Sequence, residues 1–152
     1  METESRFHYE VHMGGRIVAR FVEAENLYIE KDIPQKLGYV ILRKGEGDDT
    51  FSCWLKEMDT GRILKKRVEI WLFYREKDIV AKWALISARP VEYIAGEWDV
   101  QTGSQKIIRL ELDYRCIDKW VVNTAEEFHS EWYDIDGCRP EMMGEQEANR
   151  RT

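Results

Sequence analysis

The sequence predicts a mainly β fold, a small antiparallel β-barrel or sandwich with one flanking α-helix and a short C-terminal helical extension. Three observations carry this. Most apolar residues before residue 120 alternate with polar ones at strand period, one segment switches to helical period, and glycine and short polar clusters punctuate the rest. The chain has 152 residues, 43% of them apolar, which suits one ordinary core and leaves no room for two full domains.

Phe7, Tyr9, Val11 and Met13 alternate with His8, Glu10 and His12 up to Gly14-Gly15, which predicts a strand and a two-glycine turn. A second strand begins near Arg16 and runs through Ile17 to Val22, and on to Leu27-Tyr28-Ile29. A polar stretch with Pro34 leads to the third, Tyr39 to Leu42. Gly45-Glu46-Gly47-Asp48-Asp49 breaks the pattern. Phe51, Trp54, Leu55 and Met58 then fall at i, i+3, i+4 and i+7, an amphipathic helix with Asp49 or Thr50 as N-cap and Gly61 as stop.

Val68 to Tyr74 and Ile79 to Ile86 flank Arg75-Glu76-Lys77-Asp78, a hairpin rich in β-branched and aromatic residues. After Ala88-Arg89-Pro90 and a loop near Gly96 and Gly103, Ile108, Leu110, Leu112 and Tyr114 alternate with Arg109, Glu111, Asp113 and Arg115. The first set is expected inside and the second outside. Past Trp120, Asn123 or Thr124 with Glu127 resembles a capping box, and Phe128 and Trp132 share a helical face, so a short helix and a polar tail are expected. The chain is accordingly divided into a β domain at 1–120 and an acidic extension at 121–152.

Charge narrows the partners. The formal net is −6, and it is uneven: residues 1–120 hold 20 Lys+Arg against 21 Asp+Glu, whereas 121–152 hold 3 against 8. Nucleic acid, which needs a clustered cationic face, is disfavoured. No apolar run approaches the roughly 18 residues of a membrane span, and Met1-Glu2-Thr3-Glu4 lacks signal-peptide character, so a cytoplasmic product with no membrane insertion of its own is expected.

Candidate chemistry is thin. His8, Glu10 and His12 share a strand face, but alternate residues start roughly 6–7 Å apart, so three in a row converge poorly on one ion. Gly45 to Asp49 lacks the Lys-Ser/Thr of a phosphate loop and carries two carboxylates. Cys53, Cys116 and Cys138 are odd in number and widely spaced, which suits neither a disulfide framework nor a CxxC metal site, and they are read as small buried or incidental thiols. Cys53 has no histidine near in sequence, and His129 sits in the acidic extension. No catalytic residue, cofactor or metal site is therefore assigned.

Several segments resemble the tail-tube proteins of contractile phages and phage-tail-like injection systems, similar in fold to the tube subunit of type VI secretion. Phe21-Val22-Glu23-Ala24-Glu25-Asn26-Leu27 matches the family's F-x-E-V-S-G-L strand, and Val40-Ile41-Leu42-Arg43-Lys44-Gly45 its I-x-L-K-R-G strand. Trp54-Leu55 matches its W-L helix, the stretch from Trp83 to Tyr93 its W-x-x-x-x-A-x-P-x-x-Y segment, and Ile107 to Tyr114 the closing strand. The resemblance spans about residues 7–118. It implies a barrel, six copies of which form a ring whose inner strands join into one continuous barrel, as a structural subunit and no enzyme.

Two departures specialise that expectation. Only Lys31 to Gly38 fill the place of the family's longer glycine-rich contact arm, and the chain continues about thirty residues past the usual end. A first or last ring, joining the tube to a baseplate hub or spike, fits this better than indefinite self-stacking. Phe128, Trp132 and Tyr133, large rings in an acidic stretch, are the candidate partner-binding residues. The competing readings are a small β-barrel ligand-binding domain or enzyme, and an adaptor whose acidic tail docks a partner.

Overall fold

The computed structural model describes residues 7–30, 38–62, 64–123 and 127–134, the last eight and residue 123 as backbone. Mainly β architecture is what forms. Among the described residues, eight antiparallel strands and one helix follow in the order β1 (Phe7–Met13), β2 (Arg16–Glu25), β3 (Tyr39–Gly47), α1 (Thr50–Asp59), β4 (Lys66–Tyr74), β5 (Asp78–Asp99), β6 (Ser104–Asp113), β7 (Cys116–Asn123) and β8 (Glu127–Asp134).

Six strands close a barrel in the order β4-β1-β2-β3-β6-β5, with β4 pairing back to β5. Closure is possible because β5 serves two partners in turn. Its first half pairs with β4 on one side and β7 on the other; its second half, from Arg89, pairs with β6. The β7–β8 hairpin leaves the barrel there as a two-stranded wing, since β8 pairs only with β7 among the described residues.

The barrel is filled. Val11, Val40, Leu42, Ile70, Trp83, Leu85, Leu110 and Leu112 are fully buried in one cluster, and α1 adds Phe51 and Trp54 to it. Burying each such side chain contributes about 1.5–3 kcal/mol. The predicted helix face is thus correct, and Trp54 Nε1 donates to the Leu64 carbonyl at 2.9 Å, fixing the helix to the chain that follows it. Asp49 stands at the N-cap position without a side-chain bond. Its neighbour Asp48 caps instead: Oδ1 accepts from Thr50 N and Oδ2 from Arg16, both at 2.8 Å. Burial pulls the Asp48 carboxyl up, but the bonds from Thr50 and Arg16 win and hold it below the usual carboxylate range.

Five expectations are corrected. β2 stops at Glu25, because Asn26 is left-handed at φ 70°, so Leu27 to Ile29 lie outside the strand. Gly45 and Gly47 belong to β3: a Cβ on Gly45 would collide with the Arg20 carbonyl and the Phe21 ring, and one on Gly47 with Val18 and Ala19, so these glycines admit close strand packing where a turn was expected. Pro90 and Gly96 lie inside β5, which is bent at Ser87 (φ 57°) and passes from one ladder to the next.

The fourth correction concerns β6. Leu110, Leu112 and Tyr114 are interior as expected, but Ile108 is 52% exposed and Ile107 takes the inside position. Three β6 residues, Ile107 to Arg109, stand opposite two of β5, Ile94 and Ala95, and this bulge reverses the parity. The fifth is the C-terminal helix: residues 127–134 form strand β8. The spacing of four between Phe128 and Trp132 fits a helix face and a strand alike, and the open edge of β7 decides it by supplying a complete ladder, Cys116 with Asp134 through Asn123 with Glu127.

A buried charge and a disulfide escape the sequence reading. Lys119 is fully buried, and its Nζ donates to the Glu30 carbonyl at 2.7 Å, tying the chain beyond β2 to β7. Cys116 is buried, in line with the reading of small buried thiols, but it is disulfide-bonded, against the reading that the cysteines form no disulfide, whereas Cys53 is free and exposed. The domain boundary expected at 120 falls within β7.

Candidate assembly surface

On the outside of β1 and β4, His8, Glu10 and His12 stand opposite Phe73, Trp71 and Glu69. Each histidine addresses a different oxygen of Glu10, His12 Nε2 at 3.2 Å and His8 Nε2 at 3.6 Å. The rings are held by stacking: His8 lies on Phe73 at 5.1 Å, and His12 on Trp71 at 4.0 Å with 16° between planes. Lys82 Nζ sits 4.1 Å over the Trp71 ring, Trp71 Nε1 donates to Glu69, and Arg20 bonds His8 at 3.0 Å. The polar groups of this ladder thus already serve one another. Among the described residues no group of three His, Cys, Asp or Glu side chains is placed to hold a metal ion.

A different face is left unsatisfied. Where β6 bulges, β3 places Lys44 at φ 61° between its paired neighbours Arg43 and Gly45, and β2 places Val22 between Phe21 and Glu23. These irregularities align, so a crease crosses β2, β3, β6 and β5 and turns Val22, Ile108 and Ile94 to the outside, each between 42% and 52% exposed. The apolar row is flanked by ion pairs, Lys44 with Glu23 at 2.9 Å, Arg43 with Glu25 at 3.2 Å and Arg109 with Glu92 at 2.6 Å. A groove of about 720 Å³ runs beside it, lined by Val22 and Ile108 with Arg20, Lys44, Glu46 and Lys106.

The β5–β6 hairpin runs past the end of β3, whose last partner is Gln105, and a second register shift between Ala95 and Trp98 pairs Trp98 with Gln105, on the side of Ile107 and opposite to that of Ile108. Asp99 builds its turn by accepting from Gln101 N through Oδ1 at 2.9 Å and from Gly103 N through its carbonyl at 2.8 Å. Trp98 and Val100, the latter 83% exposed, are presented on that braced tip. Exposed apolar side chains on a sheet face and on a braced hairpin tip are candidate surfaces for association, and their side chains offer no group for acid, base or nucleophilic chemistry.

The residues expected to bind a partner lie together on β8. Phe128 is paired in register with Val122, Trp132 with Asp118 and Tyr133 with Ile117; their side chains lie outside the described part of the structure. The sequence reading missed Val22, Ile94, Trp98, Val100 and Ile108. One signal was available: in Ile107-Ile108, two adjacent strand residues cannot both face one core. The shortened arm expected at Lys31 to Gly38 lies, up to residue 37, outside the described residues.

No family model matches the chain, and no curated protein matches it either. Solved structures do. Hcp1 from Salmonella typhimurium superposes with a TM-score of 0.56 at 9% identity, covering 85% of this chain and 94% of that one. Hcp2 from the same organism gives 0.52 at 10% identity, covering 87% and 98%. A type VI secretion system effector from Yersinia pestis gives 0.51 at 12% identity, covering 83% and 98%. This chain has the fold of those proteins over nearly their whole length.

Proposed function

We propose that this Hcp-fold chain is a structural, non-enzymatic subunit of the inner tube of a contractile tail or injection system, made in the bacterial cytoplasm and assembled into a tail-like particle. The carrying observation is the fold shared with Hcp1 along 94% of that chain. It agrees with the tail-tube resemblance of residues 7–118 and with the likeness in fold to the Yersinia pestis type VI secretion system effector.

The barrel supplies the ring. Copies meet through faces such as the apolar crease and the Trp98–Val100 tip, and a hexamer closes the association that an open-ended contact would leave running. The wing supplies the specialisation: Phe128, Trp132 and Tyr133 on β8 serve a non-identical neighbour, the baseplate hub or spike. A filled interior, with Trp83 and Leu110 fully buried, favours this reading over a ligand held in a barrel mouth.

Light scattering with electron microscopy of the purified full-length protein tests the ring. The expected result is a mass about six times the 18.1 kDa chain and sixfold rings. A monomer at tens of micromolar that also fails to bind hub or neighbouring tube proteins would refute the proposal.

A further inference from the structure

We propose that the β5–β6 hairpin tip of one copy of this chain docks in the groove beside the crease of a second copy, with Trp98 and Val100 against Val22 and Ile108 and the acidic groups of the tip toward the lysines of the groove. The contact presupposes that copies associate, as proposed above, and assigns which surface of one copy meets which surface of the next.

The two surfaces complement each other in charge as well as in apolar character. Residues 96–104 hold two carboxylates, Glu97 and Asp99, and no cation. The groove is lined by four cations, Arg20, Lys44, Arg75 and Lys106, against two carboxylates, Glu46 and Glu76. Lys44 is already paired with Glu23, and Arg20 bonds His8 and lies 3.7 Å from Glu10. Lys106 forms no ion pair among the described residues, although Glu46 stands opposite it on β3, and neither does Glu97 on the tip. Exposed apolar groups and exposed charges of opposite sign thus face outward on two different patches of one chain.

Register keeps a tip out of its own groove. The pairs Trp98–Gln105 and Asp99–Ser104 hold the hairpin past the end of β3, with Trp98 on the side opposite to the exposed Ile108. The groove, about 720 Å³, falls within the roughly 300–1,000 Å³ of pockets that enclose a compact ligand, so it has space for the side chains of another copy's tip with no strand displaced. A braced turn loses little freedom on docking. Trp98 supplies most of the affinity, and the exposed charges steer the approach while adding little to it. Tip and groove are different patches, so their contact is heterologous: each copy offers one of each, and association continues from copy to copy until a ring closes.

Light scattering of two full-length double variants, alone and mixed, tests the contact. Trp98→Ser with Val100→Ser removes the tip, and Val22→Glu with Ile108→Glu spoils the groove. Each variant alone is expected to be a folded monomer by circular dichroism, with association weakened at least about thirtyfold. Mixing them leaves one intact tip facing one intact groove, so the expected product is a 1:1 heterodimer of twice the 18.1 kDa chain and nothing larger. Should the groove variant fail to fold, Lys44→Glu with Lys106→Glu, both at exposed positions, takes its place. A tip variant that keeps the wild-type assembly, a wild type that stops at a dimer, or folded variants that stay monomeric when mixed would overturn the contact and leave the tube-subunit reading standing. A wild type that is monomeric at tens of micromolar overturns the contact too, and the reading falls with it only when hub and neighbouring tube proteins are not bound either.

Discussion

At the scale of single residues, the fold depends on positions whose constraint comes from a neighbour across the sheet. Gly45 is one: its Cα faces the Arg20 carbonyl and the Phe21 ring with no space for a methyl group. Gly45→Ala should cost about 1–3 kcal/mol through overpacking, read as a lower urea midpoint at unchanged slope. Tyr114 is another. Burial pushes its phenol up to about 12 from an ordinary 10, against a weaker opposing pull from the Gly38 backbone. A raised folded-state value means that the neutral phenol is the form the fold accommodates. Its contribution is complete below about pH 10 and is lost as pH rises through about 12. Between those limits Tyr114→Phe should lose less stability than the wild type. Parallel alkaline unfolding curves for the two proteins would count against this account.

At the scale of elements, strand irregularities decide what the barrel shows to its surroundings. The bulge in β6 puts Ile107 and Leu110 inside and Ile108 out, which separates two consequences of mutating adjacent apolar residues. Leu110→Ala should cost about 2–5 kcal/mol, because it empties a packed site. Ile108→Ser should change stability by less than about 0.5 kcal/mol while weakening association of the subunits, seen as a lower-mass species in light scattering. Equal effects of the two substitutions on unfolding would mean that the crease is closed in solution. β5 illustrates the same principle on a longer scale. A single 22-residue strand bends at Ser87, leaves the β4 ladder and enters the β6 ladder, and this one bend both closes the barrel and frees an edge for β7.

At the scale of the whole molecule, the barrel and the wing are separable in their hydrogen bonding. None of the ladders that close the barrel includes β8. Ending the chain after Asn123 should therefore leave a folded, cooperative barrel that retains β7, with its buried Lys119, and still forms rings. It should lose binding to the hub or spike partner by at least tenfold, as measured by pull-down or interferometry. Unfolding or aggregation of the truncated chain would instead make β8 part of the core and remove the partner role of Phe128, Trp132 and Tyr133.

The sequence alone determined the class of fold, the α1 face, both early hairpins and most of the core, because periods of two and of 3.6 are local and survive without knowledge of neighbours. It also carried the tail-tube resemblance, through the order of motifs from Phe21 to Tyr114. Tertiary structure alone decided the rest. Whether Gly45 is a turn or a close approach depends on Phe21, and whether Ile108 is inside depends on a count of residues on β5. Whether Phe128 and Trp132 sit on a helix or a strand depends on the free edge of β7. In each case the deciding group is distant in the chain, so a local pattern is compatible with both outcomes until the ladder forms. The candidate assembly surface was hidden for the same reason: it lies along a crease to which four strands each contribute one irregularity.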